Sequence, residues 1–320
     1  MKYDVVALGE LLIDFTLNGS SEQGNNIYEA NPGGAPCNVL AMLNKMNKKT
    51  AFIGKVGQDA FGKILKNTID EVGIDSTGLV FDEHVNTTLA FVNTDENGER
   101  SFSFYRKPGA DMMLNINDVK FDLIRDTRIF HFGTLSMTHE EARKATKAAI
   151  KKAESENKLI SFDPNLRPLL WDDLNNAREQ IDFGCSVCHI LKIEDEEAKF
   201  LTGCNDIDKA VEIIKNKYKI KLILVTEGSK GSTAYYKDLK IKQEAYLQET
   251  TIDTTGAGDT FCGSCLGYLI DNDINDLNEE NIKEMISFAS AAASIVTTRK
   301  GAIRSMPQIK EVEELIKSKQ

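Results

Sequence analysis

The sequence predicts an α/β fold of three layers, a mainly parallel central sheet with helices on both faces, plus a small separate β-sheet that could act as a lid. Three observations carry this expectation. Short apolar runs alternate with helix-prone stretches along most of the 320 residues. No linker rich in Pro, Gly or Ser interrupts that rhythm, and no internal repeat is present, so one domain over 1–320 is expected. Two regions, at about 12–31 and 87–107, depart from the alternation and read as strands inserted into it.

Taken in order, Val5–Leu8 reads as a strand, Ala35–Met46 as a helix, Thr50–Ile53 as a strand and Phe61–Val72 as a helix. Ile129–Phe132 reads as a strand, and His139–Glu156, rich in Ala and Lys, as a long helix. Leu159–Phe162 is a strand, Glu194–Thr202 helical, and Leu222–Val225 a strand. Thr260–Ile270 and Ile282–Val296 read as helices. Strands that are apolar throughout are buried on both faces, and such sheets bind ligands beyond the carboxyl ends of their strands. Within the departing regions, Ile13–Tyr28 carries Asn18-Gly19, and Thr87–Tyr105 carries Asn97-Gly98 between alternating apolar residues, a hairpin signal. A lid over a ligand is one use of these strands; an ordinary extension of the sheet is the other.

Composition narrows the function classes. A 41% hydrophobic content supports a large core, and a net charge of −10 leaves no basic stripe for nucleic acid. Phosphate must therefore be held by local donors. Met1–Val5 runs straight into an apolar strand without a signal-type pattern, and no apolar run approaches a bilayer span. A cytoplasmic protein without a membrane partner is expected. The six cysteines, including the pairs Cys185/Cys188 and Cys262/Cys265, are expected to be free thiols acting as small apolar residues.

The segment Ile252–Phe261 carries the sharpest chemistry. Gly256, Ala257 and Gly258 before an apolar helix can bring backbone N–H groups together at a positive helix end, an anion hole for a transferring phosphoryl group. Asp259 falls in the first helical turn, where the dipole favours its ionised form, ready to take a proton. A glycine turn with Asp as helix cap is the plainer alternative. Gly57–Lys63 fits the first seven positions of a P-loop, but Ile64 stands where Ser or Thr would meet Mg2+, so a P-loop is rejected.

Other segments supply polar groups. Asp14 follows the first strand, and Gly33, Gly34 and Asn38 open a helix; they could bind sugar hydroxyls, or form a turn with a capping Asn. Arg167, after a strand ending in Asp163-Pro164-Asn165, could clamp phosphate or lie on the surface. Lys192 precedes Glu194 and Glu197, which could hold hydrated Mg2+ or complement a helix dipole. Thr226–Gly231 suits a nucleotide-facing turn, or any hairpin.

Jointly these segments resemble the PfkB (ribokinase-like) family of carbohydrate kinases, from residue 4 to about 307, and within it most closely the fructokinases. Asp253–Asp259 is similar to the family's C-terminal motif, and Gly33-Gly34 through Gly62 to its N-terminal one. Gly33–Val39, Phe104–Met112, Phe130–Gly133, Asp163–Trp171 and Thr297–Ala302 carry the likeness to fructokinases. The resemblance implies a ribokinase-like fold and transfer of the γ-phosphate of MgATP to the 6-hydroxyl of D-fructose. Asp259 would be the base, with the amides of Gly256, Ala257 and Gly258 as anion hole. Asp14, Gly33, Gly34, Asn38, Phe104, Arg106 and Arg167 would hold the sugar, Arg167 serving the phosphates as well. Lys192 and Glu197 would serve phosphates and Mg2+, and Thr226, Gly228, Ser229, Gly231, Gly258 and Ser290 the nucleotide. A monovalent cation, K+, would lie near Asp253, Thr255, Val296, Arg299, Gly301 and Ser305.

The chain departs from the family pattern in three places. Glu194-Asp195-Glu196-Glu197 lacks the Asn of an Asn-x-x-Glu motif, Ser290 stands where Asn is common, and Glu227 replaces an apolar residue. The alternatives to fructose are 2-keto-3-deoxygluconate or a riboside, and the alternative to a kinase is a non-catalytic sugar- or nucleotide-binding regulator. An exposed lid could pair with a second copy.

Overall fold

The computed structural model describes residues 1–94 and 100–319. The chain opens with β1 (Tyr3–Leu8), the strands β2 (Leu12–Ser20) and β3 (Asn26–Gly33), and α1 (Ala35–Lys45). Then come β4 (Thr50–Gly57), α2 (Ala60–Glu71), β5 (Asp75–Asp82) and the antiparallel pair β6 (Leu89–Thr94) and β7 (Arg100–Tyr105). The middle of the chain gives α3 (Phe121–Arg125), β8 (Thr127–Gly133), α4 (Glu140–Ser155), β9 (Leu159–Asp163), α5 (Leu174–Val187), β10 (Ile190–Glu194) and α6 (Asp195–Thr202). The last part gives α7 (Ile207–Lys217), β11 (Leu222–Thr226), β12 (Ser232–Tyr236), β13 (Leu239–Gln243), α8 (Ala257–Asp271), α9 (Glu279–Val296) and α10 (Ile309–Lys319).

Among the described residues the strands form a nine-stranded sheet, ordered β13-β12-β11-β10-β9-β8-β1-β4-β5, and a four-stranded sheet, ordered β3-β2-β6-β7. The large sheet is parallel from β5 to β11, with β12 and β13 antiparallel at one edge. Alternation along each strand sorts side chains to two faces. Val5 and Ala7 join α1, α2, α8, α9 and α10 in one core; Val6 and Leu8 join α3 to α7 in the other. Phe52, Phe130, Phe132 and Phe162 are fully buried, each contributing roughly 1.5–3 kcal/mol from transfer out of water. The sheet is thus the filling of a three-layer α/β/α fold.

From β1 the chain winds outward through β4 and β5, then returns to β8 on the other side of β1 and winds away through β11. The order of winding reverses between β1 and β8, and the carboxyl ends around that switch point are left uncovered by crossover helices. The small sheet stands over them. Leu12, Asp14, Val92 and Phe104 line a cavity there, while Phe15, Phe91, Tyr28 and Tyr105 pack together elsewhere on the small sheet, Phe15 meeting Phe61 of α2 edge-on at 5.6 Å.

Several local expectations shift. Asn18-Gly19 is not a turn; both residues lie in β2 at a register shift, and the chain reverses between Ser20 and Asn26. The Asn97-Gly98 turn lies outside the described residues, although β6 and β7 pair as a hairpin requires. The helix expected over Glu194–Thr202 starts one residue later, because Glu194 still belongs to β10. Among the described residues all six cysteines are free, and Cys37, Cys185, Cys188, Cys262 and Cys265 are buried. No helix among the described residues is long and apolar enough to cross a membrane.

Candidate active site

Two adjoining cavities open at the carboxyl ends of the large sheet. One, of about 520 Å3, lies under the small sheet; the other, of about 640 Å3, lies between β11, β12 and α9. Glu194, Thr254 and Gly258 line both, so the cavities meet at the start of α8.

At that junction the sequence dictates the backbone. Gly256 caps α8 with φ +80°, and a Cβ there would come within 2.8 Å of the Ala302 Cβ. Only glycine meets both demands without strain. No side chain caps this helix. The Ala257 N–H donates to the Thr254 carbonyl at 3.3 Å, whereas those of Gly256 and Gly258 have no partner among the described residues. Unpaired amides at a helix start form a ready site for anions.

Asp259 is the third residue of α8 and is buried. Its side chain does not cap the helix. Its Oδ2 accepts from Asn38 Nδ2 at 2.7 Å, and its Oδ1 from Asn165 Nδ2 at 3.1 Å. The expectation of a readily ionised carboxylate is corrected: burial, reinforced by Asp163, lifts its pKa to about 6 against the pull of Asn38, Lys192 and Arg167. Desolvation outweighs the dipole here because the carboxylate is buried in the cavity wall.

The smaller cavity is lined by carboxylates and amides. Asp14, Gly34, Asn38, Phe104, Arg167, Lys192, Gly256, Gly258 and Asp259 all reach it, as sequence reasoning expected of a common site. The Asp14 carboxylate makes no hydrogen bond among the described residues; burial lifts its pKa to about 7, opposed by Arg167 and aided by Asp253 and Asp259. Glu10, which sequence reasoning left out, also lines this cavity. Its Oε1 accepts from the Ala35 N–H at 2.8 Å, and burial raises its pKa to about 7. Gly33 is not on the wall but lies against the Asp14 carboxylate.

Two expected ligands are placed elsewhere. Arg106 is buried at the root of the small sheet. Its Nε and Nη2 donate to Asp111 at 2.8 and 2.7 Å, Nη1 to Thr138 Oγ1 at 2.9 Å, and Nη2 also to the Leu135 carbonyl at 3.1 Å. Its guanidinium is committed to the protein and does not line the cavity. Glu197 is likewise taken up: Oε1 accepts from the Leu166 N–H at 2.6 Å and Oε2 from the Glu194 N–H at 2.9 Å. It is on neither cavity wall, and burial first, then its acidic neighbours, raises its pKa against the pull of Lys192. Glu194 is the carboxylate that faces the junction, its Oε1 3.8 Å from Lys192 Nζ.

Lys192 is buried 3.1 Å from Asp163 Oδ2. Burial works against its charge, but Asp163, Glu197, Glu194 and Asp259 prevail and hold its pKa above the ordinary lysine value. A Cβ on Gly258 would lie 3.0 Å from its Nζ, so the ammonium sits directly beside the unpaired amides. Asp163 and Asn165 had no role assigned from the sequence; their signal was position, since Asp163 ends β9 and Asn165 lies two residues beyond it.

Thr226, Gly228, Ser229, Gly231 and Ser290 all line the larger cavity, Ser290 facing Ser232 at 3.2 Å between hydroxyl oxygens. Ala257 and Gly258 line it at the junction. The six residues expected near a monovalent cation gather where two loops meet. Asp253 ties them, Oδ1 accepting from the Thr255 N–H at 2.9 Å and Oδ2 from the Gly301 N–H at 3.2 Å. Val296 O accepts from the Arg299 N–H, and Arg299 Nη1 donates to Ser305 O at 3.2 Å. Carbonyl oxygens and one carboxylate are hard donors of the kind K+ takes. Among the described residues no group of three or more His, Cys, Asp or Glu side chains could hold a metal alone.

Residues 2–309 match the model of the pfkB family carbohydrate kinase. Fructokinase-2 of Oryza sativa subsp. japonica is 40% identical over 314 residues, 98% of this chain and 93% of its own. The crystal structure of a fructokinase with bound ATP from Xylella fastidiosa matches with a TM-score of 0.90 at 29% identity, covering 100% of this chain and 99% of its own. A double mutant of the Vibrio cholerae O395 fructokinase, solved with fructose, ADP and a potassium ion bound, matches with a TM-score of 0.87 at 29% identity, covering 98% and 99%.

Proposed function

The chain belongs to the pfkB family of carbohydrate kinases, and on that premise we propose that it transfers the γ-phosphate of ATP to the 6-hydroxyl of D-fructose. The observation that carries the mechanism is the position of Asp259, buried where the two cavities meet and beside amides without partners. Sugar in the smaller cavity and nucleotide in the larger would bring a hydroxyl and a terminal phosphate together at that point. Fructose itself is supported by the full-length likeness to fructokinases.

Asp14 and Asn38, with the backbone at Gly34, bind and orient sugar hydroxyls, and Glu10 and Phe104 complete the wall. The carboxylates supply acceptors that a neutral polyol can satisfy, at a desolvation cost that a bound hydroxyl offsets. Asp259 takes the proton of the 6-hydroxyl as its oxygen bonds to the γ-phosphorus and the bond to the ADP oxygen breaks. With a pKa near 6 the base is mostly ionised at pH 7 yet basic enough to accept the proton. The amides of Gly256 and Gly258 and the Lys192 ammonium stabilise charge on the equatorial oxygens. Arg167, exposed at the cavity mouth, meets phosphate from outside.

Magnesium would be held by the nucleotide's own phosphates with Glu194, in place of the Glu197 expected from sequence, since a hydrated Mg2+ needs only one or two carboxylates. It would neutralise phosphate charge. Potassium would be held by main-chain oxygens around Asp253 and would stiffen the loop that presents the amides. The aromatic cluster of the small sheet, with Tyr105 66% and Leu17 46% exposed, supports pairing with a second copy through the lid.

The test is a coupled ADP-release assay with MgATP across fructose, glucose, ribose, adenosine and 2-keto-3-deoxygluconate, run in K+ and in Na+ salts. Fructose should give the highest kcat/KM, and K+ should exceed Na+. A different preferred substrate would overturn fructose; indifference to the cation would overturn the potassium site. Asp259→Asn should bind sugar but lose at least ~100-fold in kcat.

A further inference from the structure

The turn that follows β9 is pinned more heavily than a surface connection needs. Thr134 donates to the Pro164 carbonyl twice, from its N–H at 3.2 Å and its Oγ1 at 2.5 Å. The Asn165 N–H donates to Asp163 Oδ1 at 3.2 Å. The Leu166 N–H donates to Glu197 Oε1 at 2.6 Å, and Glu197 is itself held through its other oxygen by the Glu194 N–H. Two neighbouring segments and the turn's own Asp163 carboxylate thus fix Pro164, Asn165 and Leu166, with Asn165 at φ +44°. A non-glycine residue rarely occupies that region, although Asn tolerates it best, and a strained position held by its surroundings often marks a working site. The consequence is visible: the Asn165 side chain reaches Asp259 Oδ1, while Asn38 holds Oδ2 from the opposite element.

A carboxylate's terminal torsion is broad and roughly two-fold, so Asp259 alone would rotate within its pocket. One amide donor on each oxygen removes that freedom and leaves each oxygen a second lone pair for the incoming hydroxyl. We propose that the Asp163–Leu166 turn is the device that aims the base, with Asn165 as a positioning residue that locks the Asp259 carboxylate against Asn38, and Glu197 as the group that holds the turn. This deepens the reading of Asp259 as base and rests on it. The Glu197 carboxylate, expected to serve phosphate and metal, acts here through the backbone of Leu166.

The same amide favours the ionised base, since it donates to the carboxylate. Other charges facing Asp259 are Asp14 from the small sheet, Asp163 at the end of β9, Arg167 beyond it and Lys192 on β10. None of these is altered by a change at Asn165, so the effect on titration can be isolated.

The variant Asn165→Gly suits the observed φ and keeps every main-chain contact of the turn, which are made by backbone N–H and carbonyl groups. It should leave KM for fructose and for MgATP within about twofold, lower kcat about tenfold, and move the acid limb of the kcat profile to higher pH by about half a unit. Asn165→Asp, which also adds a like charge beside the base, should move the limb further in the same direction. A purely structural role would lower stability or raise KM without moving the limb. If Asn165→Gly keeps both kcat and the acid limb while Asp259→Asn is inactive, the positioning role is overturned and the base stands. If Asp259→Asn turns over normally, the base reading itself fails. Should Asn165→Gly not fold, the Asn165→Asp limb decides alone: an unmoved limb overturns the proposal.

Discussion

At Asp259 two influences of opposite sign meet. The start of α8 favours its charge, and burial disfavours it; burial prevails and lifts its pKa to about 6. Asp14 is raised by burial too, without a hydrogen bond to its carboxylate among the described residues, and its pKa rises to about 7. A carboxyl whose folded value lies above its ordinary value stabilises the fold at low pH and loses that contribution as pH rises through the folded value. The window for Asp14 therefore runs from the ordinary Asp value near 4 up to about 7. Above it, the ionised group costs stability in the ligand-free protein. Asp14→Asn should raise urea stability by roughly 1–2 kcal/mol at pH 8, a figure discounted because Asp14 is only half-buried, and give no gain at pH 4. Its KM for fructose should rise at least ~10-fold. Equal stability of the two proteins at pH 8 would contradict this account.

Among the elements, α8 carries the most consequence per residue. Its cap at Gly256 has a left-handed backbone and no room for a Cβ beside Ala302. Gly256→Ala should cost about 1–2 kcal/mol of stability and at least ~10-fold in kcat, because the helix start must shift and carry the amides of Gly256 and Gly258 with it. Thermal unfolding and kcat with saturating MgATP measure the two effects; an unchanged kcat would separate the cap from catalysis. The root of the small sheet is an element-scale feature as well. The buried Arg106–Asp111 pair, with Thr88 donating to Asp111 Oδ1 at 2.5 Å, joins the chain entering β6 to the chain leaving β7. Asp59 does the same for the entry, accepting from the N–H and Oγ1 of Thr87 while capping α2. The Gly57–Lys63 string that mimics a P-loop therefore braces the chain entering β6, with Asp59 accepting from Thr87 and Gly62.

For the whole molecule, the switch between β1 and β8 decides where the site lies, and the small sheet decides what covers it. Its aromatic cluster, exposed at Tyr105, is the surface proposed for pairing. Sedimentation should give a dimer, and Leu17→Glu with Tyr105→Glu should give a monomer. A monomeric parent would remove the proposal. The large sheet's central strands were legible in sequence because Val5–Leu8 and Leu222–Val225 are apolar throughout and only His131 interrupts the apolar run Ile129–Phe132. β5, β12, β13, α5 and α7 were not. β5 is a half-exposed edge strand containing Asp75, Ser76 and Gly78, and the β12–β13 turn passes through Lys237 at φ +49° without an Asn-Gly signal. Gly184 in α5 looks like a helix breaker but serves close packing against the Phe162 ring.

The sequence by itself determined the family, the parallel sheet and the Gly-rich start of α8 with its aspartate, because each depends on local pattern: apolar runs, small residues and a fixed order of motifs. It also led Asp14, Gly33, Gly34, Asn38 and Arg167 to be expected at one sheet edge, and of these all but Gly33 line one cavity. Only the tertiary structure decided the pKa of Asp259, the commitment of Arg106 to Asp111, and the turning of Glu197 toward Leu166. Those outcomes depend on desolvation and on which groups come within about 3 Å in the folded chain, whether five residues apart as Arg106 and Asp111 are or 31 apart as Leu166 and Glu197 are, and residue spacing does not encode such distances.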